Sequence, residues 1–173
     1  VDERNLAERP RRSPIKVGEP VPRLYFIDQY GREVSTRELT LGGDALLIFY
    51  PGHESPESRA VYRWVHQNLE SLSNQLEVLL VSGDSVELNN QTAQNENLRL
   101  ALLSDPSLWC TKAFGLVDNK PEAKLDSTWS IMIGKEDHVL GVRDGFFDKT
   151  EIITMKTHRP TGKEDNQAID LLF

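Results

Sequence analysis

The chain has only one cysteine, Cys110, among its 173 residues. One cysteine cannot form an internal disulfide, so we expect a reducing compartment such as the cytoplasm or the stroma or matrix of an organelle. The chain also lacks any apolar run of about 18 residues, the length that a membrane-spanning helix needs. We therefore expect a soluble protein with no membrane span.

Positive charge is also scarce, with 20 Lys and Arg against 27 Asp and Glu and a formal net charge of −7. Proteins that bind phosphate backbones use clustered Lys and Arg, so we expect no nucleic-acid partner. The one basic cluster lies near the N-terminus, in a stretch that contains several prolines, and comprises Arg9, Arg11, Arg12 and Lys16. This stretch is interpreted as a solvated tail, with a docking arm as the alternative.

A metal site is not expected. The four histidines are scattered and show no ligand spacing, and a lone cysteine offers no Cys cluster: His53, His66, His138 and His158. The sequence therefore predicts neither a metal nor another cofactor.

The centre of the chain has the pattern of a βαβ unit. Ala45–Tyr50 and Leu76–Val81 are short, continuous apolar runs, typical of strands that are buried on both faces. Between them, apolar residues recur at helical spacing, and Pro56 suits the first turn of that helix. Ser55 is the predicted N-cap.

The other segments predict a mixed sheet, and hence an α/β protein. We expect strands at Leu24–Asp28, Arg32–Ser35, Arg99–Leu103, Trp129–Ile133, His138–Val142 and Glu151–Lys156, and helices at Val86–Asn97, Ser107–Phe114 and Asn166–Phe173.

Five segments, in this order, resemble those of the peroxiredoxins, the alkyl hydroperoxide reductase and thiol-specific antioxidant family: IKVGEPVPRLYFIDQYGREVSTREL, LLIFYPGHESPES, VLLVSGDSVE, LALLSDPSLWCTKAFGL and WSIMIGKEDHVLG. The resemblance implies a thioredoxin-like fold, a mixed central sheet flanked by helices. It suggests a flexible tail at 1–15, a peroxiredoxin-like domain at 16–144 and a divergent extension at 145–173. The extension departs from the long closing helix that is usual in the family.

The resemblance also implies where the active site lies. The family has a Pro-x-x-x-Thr/Ser-x-x-Cys loop and an arginine on a later strand. Here Pro51 matches the proline, Ser55 the hydroxyl residue and Ser58 the reactive cysteine, while Thr128 stands at the position of the arginine.

Peroxide reduction requires a thiolate that attacks the O–O bond and becomes a sulfenic acid, and a serine cannot follow that route. The sequence therefore predicts a non-catalytic binding or scaffolding module, with a homodimer or a larger protein assembly as its partner. The alternative is a thiol peroxidase that uses a thiol reductant and whose cysteine at position 58 was replaced by engineering. Thr128 and the divergent extension favour the non-catalytic module.

Two further side chains have alternative readings. Ser58 could act with His53 and Glu54 as a hydrolase-like nucleophile, but no Gly-x-Ser-x-Gly elbow is present, which favours a polar loop before a helix. Cys110, beside Trp109, is predicted to be a buried and inert thiol, with a redox role as the alternative.

Overall fold

The computed structural model describes residues 2–159. Its strands are β1 Tyr25–Ile27, β2 Glu33–Ser35, β3 Ala45–Phe49, β4 Glu77–Ser82, β5 Ala101–Ser104, β6 Trp129–Ile133 and β7 Val139–Asp144. Its α-helices are α1 Thr36–Leu39, α2 Ser58–Leu72, α3 Val86–Asn95, α4 Trp109–Ala113 and α5 Lys149–Thr157. Two 3₁₀ helices lie at Glu3–Ala7 and Pro106–Leu108.

The seven strands form one mixed sheet in the order β2-β1-β5-β4-β3-β6-β7. Strands β3, β4 and β5 are parallel, whereas β6 runs antiparallel to β3 and pairs with β7 as a hairpin. The hairpin of β1 and β2 joins the other edge through the pairing of Ile27 with Ser104. This arrangement confirms the predicted α/β class and the thioredoxin-like mixed sheet.

The uninterrupted apolar run of β3 is explained by its place in the middle of the sheet. All five residues of β3 are buried, and alternate side chains enter two different cores. Leu47 and Phe49 pack with α1 and α4 on one face, whereas Leu46 and Ile48 pack with α2 and α5 on the other. Because both faces are covered, every position of this strand is apolar.

Residues 2–15 differ from the loose tail expected from composition. The side chain of Asn5 is buried and pairs with both backbone groups of Tyr25, accepting from its N–H at 2.7 Å and donating to its carbonyl at 2.8 Å. The indole N–H of Trp109 donates to the Asn5 carbonyl at 2.7 Å. The Asn5 side chain thus forms, with β1, the two hydrogen bonds that a neighbouring strand would form beyond the end of β5.

The region after β7 also differs from prediction. Glu151–Lys156 was expected to be a strand but lies within helix α5, which begins with a capping box between Asp148 and Glu151. Ile152 and Met155 are buried against the sheet. A helix of nine residues therefore covers this face of the sheet.

The predicted helix at Asn166–Phe173 lies outside the described residues. Within residues 2–159, no helix is both long and apolar enough to cross a membrane.

Candidate functional site

The active-site loop was predicted to run from Pro51 to Ser58, and in the structure residues 50–57 connect the carboxyl end of β3 to α2. Gly52 adopts a φ of +120°, and a Cβ built on it would lie 2.7 Å from the Asp84 carboxylate. Only glycine allows the loop to approach Asp84 so closely. Asp84 also accepts the backbone N–H of His53 at 2.8 Å, so it fixes the first half of the loop.

Ser55 and Ser58 bind the loop's own backbone. The Ser55 hydroxyl donates to the Gly52 carbonyl at 2.6 Å, and the Ser58 hydroxyl donates to the Ser55 carbonyl at 2.9 Å. Ser58 is the first residue of α2 and is only 3 % exposed. Ser55 is not the N-cap, since that position is held by Glu57, which makes no capping hydrogen bond through its side chain.

Thr128 joins this loop from the neighbouring strand. It is buried just before β6, the antiparallel partner of β3, and its hydroxyl donates to Glu57 Oε2 at 3.4 Å. The four residues predicted from the resemblance thus meet at one end of the sheet: Pro51, Ser55, Ser58 and Thr128. The structure adds Glu57 to them.

Arg143 is a cationic side chain on β7, the strand that pairs with β6 next to Thr128. It lies on β7, opposite Ser130, and forms an ion pair with Glu151 of α5. Its guanidinium also lies 5.5 Å from the ring centroid of Phe147. Arg143 therefore contacts the first turn of α5 through Glu151.

A chain of buried hydroxyls beneath the loop was not predicted from the sequence. His53 Nδ1 lies 3.0 Å from the Tyr62 hydroxyl, which lies 3.3 Å from the Tyr50 hydroxyl. Burial raises the pKa of both tyrosines, so both remain neutral hydrogen-bonding groups. A buried tyrosine hydroxyl needs a polar partner. The tyrosines in the apolar run before the loop and in the helix after it, Tyr50 and Tyr62, could therefore have indicated such a partner in the loop.

This network does not support the hydrolase-like alternative. A serine nucleophile requires a base within hydrogen-bond reach. His53 instead pairs with Tyr62, and the Ser58 hydroxyl is occupied by the Ser55 carbonyl. The loop therefore reads as a polar connection that precedes a helix.

Cys110 lies in the other core, on the opposite face of the sheet from α2. The thiol is 2 % exposed and accepts from Asn5 Nδ2 at 3.5 Å. Burial and the nearby carboxylate of Asp105 raise its pKa far above the ordinary value for a thiol. These contacts agree with the prediction of a buried thiol.

No metal centre is visible in the part of the chain that the structure describes. Residues 2–159 contain no group of three or more His, Cys, Asp or Glu side chains that could hold a metal ion.

Solved structures of known proteins share this fold. The peroxidoxin BcpB of Mycobacterium tuberculosis is similar with a TM-score of 0.72 and 20% identity, covering 84% of this chain and 99% of its own. The thiol peroxidase of Chromobacterium violaceum gives 0.70 and 16%, covering 86% and 90%. A peroxiredoxin-like protein of Aquifex aeolicus gives 0.66 and 16%, covering 83% and 88%.

Comparison of the sequence with known proteins identifies a family but no individual relative. No curated protein matches the sequence significantly. The AhpC/TSA family, in contrast, matches residues 17–147, which include all seven strands, the loop after β3 and Ser58 at the start of α2. The chain therefore belongs to the AhpC/TSA family, the peroxiredoxins, and has their thioredoxin-like fold.

Proposed function

We propose that this chain is a peroxiredoxin-fold domain without thiol peroxidase activity, and that it acts as a binding or scaffolding module. The observation that carries the proposal is the state of Ser58, which takes the place of the reactive cysteine in the family pattern. Its hydroxyl is buried and donates to the Ser55 carbonyl. A hydroxyl in this position stays protonated and has no counterpart to the oxidation of a thiolate.

The charges around Ser58 also oppose peroxidase chemistry. A thiolate at the start of a helix is favoured by the helix dipole and by a neighbouring cation. Here the cation is replaced by the neutral Thr128, which donates to the Glu57 carboxylate. A carboxylate beside the site disfavours a thiolate. Both the nucleophile and the local charge therefore differ from those that peroxide reduction needs.

Cys110 cannot take over the role of the missing thiol. It lies across the sheet from the loop, behind Asn5, and its raised pKa keeps it in the unreactive thiol form. A role in binding other proteins, either as a homodimer or in a larger assembly, requires no such thiol. Light scattering during size-exclusion chromatography of the full chain measures its state of self-association.

The test compares two cysteine variants of the full chain, Ser58→Cys and Ser71→Cys. Ser71 is the control because it lies in the last turn of the same helix, is exposed, and donates its hydroxyl to the carbonyl three residues earlier, as Ser58 does. We expect the thiol of Ser58→Cys to react with hydrogen peroxide no more than about tenfold faster than that of Ser71→Cys, measured by stopped-flow thiol oxidation.

Reaction of Ser58→Cys at least a thousandfold faster than the control would contradict the proposal. That result would show a working pocket and favour the alternative, a thiol peroxidase whose native residue at position 58 is cysteine. A third variant, Ser58→Cys combined with Glu57→Gln, tests the electrostatic argument. Removing the carboxylate should lower the pKa of the new thiol relative to that of Ser58→Cys.

A further inference from the structure

A groove lies at the end of the sheet opposite the candidate site. It has a volume of about 510 Å³ and is bordered by the starts of the parallel strands, at Asp44, Glu77 and Ala101. Its apolar lining is formed by Leu39, Leu69, Leu76, Val78, Leu100 and Ala101. Leu69 and Leu100 are only partly buried by residues 2–159, so the groove presents apolar surface that this part of the chain leaves uncovered.

The described chain ends at the rim of this groove. Arg159, the last described residue, donates two hydrogen bonds to the Asp44 carboxylate, each 2.7 Å long. Lys156 Nζ donates to the Gln75 carbonyl at 2.5 Å. Both Asp44 and Gln75 line the groove, so these contacts fix the point from which the chain continues.

The sequence after Arg159 has two parts. Residues 160–167, PTGKEDNQ, are polar, whereas residues 168–173, AIDLLF, are mostly apolar. Its large apolar side chains are those of Ile169, Leu171, Leu172 and Phe173. Eight polar residues span up to about 26 Å when extended, which is enough for the apolar segment to reach a groove that begins beside Arg159.

We propose that residues 168–173 dock into this groove of the same molecule. Burial of apolar side chains against Leu69 and Leu100 supplies the main attraction. Arg99 lines the groove and offers a cation to Asp170. A tether of eight residues gives the segment a local concentration on the order of millimolar, so even weak contacts hold it in place.

A proximity cross-link in the full chain tests the proposal. Gly42 lines the groove, has an ordinary backbone conformation and faces open space where a side chain would extend. The variant Gly42→Cys with Ala168→Cys should form an intramolecular disulfide under mild oxidation. Cys110 is buried and does not compete. The control pairs Ala168→Cys with Lys120→Cys, an exposed site in the loop before β6, at the other end of the sheet.

We expect the Gly42 pair to cross-link at least about tenfold faster than the Lys120 pair, followed by mass spectrometry of the monomeric protein. Adding Leu172→Ser and Phe173→Ser to the Gly42 pair should reduce the rate to that of the control, whereas adding Asn166→Ser should not. Equal rates for the two pairs would overturn the proposal. Disulfide-linked dimers in place of the intramolecular bond would also overturn it, because the occupant would then come from a second copy.

Discussion

Replacing Arg159 by alanine tests how the end of α5 is fixed to the sheet. Asp44 is 5 % exposed, and it receives two hydrogen bonds from Arg159 and one from the Lys135 amide at 3.1 Å. Breaking a buried ion pair from one side typically costs about 3–5 kcal/mol, because the remaining charge is left without its partner. Lys156 stays 3.6 Å from the carboxylate, so we expect a loss of about 2–3 kcal/mol.

For a domain of this size, such a loss lowers the melting temperature by roughly 5–10 °C. Differential scanning calorimetry of the full chain measures the change. The matched control is Arg59→Ala, which removes an ion pair with Glu96 in which the Arg59 side chain is 59% exposed. Exposed pairs contribute little, so its shift should be clearly smaller. Equal shifts for the two variants would refute the reasoning.

The Arg159 substitution also changes the dependence of stability on pH. Burial alone would raise the pKa of Asp44, but the hydrogen bonds from Arg159 and Lys135 and the charges of Arg159 and Lys156 lower it below 3.8. A lowered folded pKa means that this contribution is complete above the unfolded pKa and is lost as the pH falls through the folded value. Without Arg159, fewer interactions offset the desolvation of the Asp44 carboxylate, so its pKa is lowered less. The difference in stability between the unaltered chain and Arg159→Ala should therefore shrink as the pH falls from 6 toward 3.

Two further substitutions test the N-terminal segment. Asn5→Ala removes the side chain that covers Cys110, so the thiol should react with a thiol-specific reagent at least about tenfold faster than in the unaltered chain, and unchanged kinetics would contradict this. Gly115→Ala places a Cβ against the N-terminal segment at a φ of +77°, which costs at least roughly 1–2 kcal/mol by chemical denaturation. Gly42→Ala, whose Cβ meets open space, is its control and should leave stability nearly unchanged.

The central part of the fold was predictable because the apolar runs that became β3 and β4 are short, rich in β-forming residues and separated by a helical pattern. These features favour strands buried on both faces, and the two strands pair in the structure as parallel neighbours. The stretch 149–157 was not predictable in this way. Its apolar residues have no clear period, and the helix depends on the capping box at Asp148 and on the packing of Met155 against Gly141.

The N-terminal segment shows a different limit of sequence reasoning. Its composition is polar, with three prolines among residues 1–20, which favours a loose tail. What orders it is the Asn5 amide, which pairs with a strand 20 residues away, and the indole of Trp109, 104 residues away. Contacts between residues so far apart in the sequence cannot be predicted from the local sequence pattern.

The candidate site was located by resemblance, and its contacts came from the structure. The loop motif directed attention to Ser58 and Thr128, but neither the spacing nor the composition indicated that Thr128 would donate to Glu57. The same holds for the contact of His53 with Tyr62. These contacts depend on how β6 and α2 lie beside the loop, which only the folded chain specifies.

The most direct test of the central claim is the rate at which the unaltered full chain consumes hydrogen peroxide, with dithiothreitol or a thioredoxin system as the reductant. We predict a rate equal to that of the reductant alone. Consumption above that background, abolished by Cys110→Ala, would contradict it, because turnover would then come from the thiol that the structure places in the core.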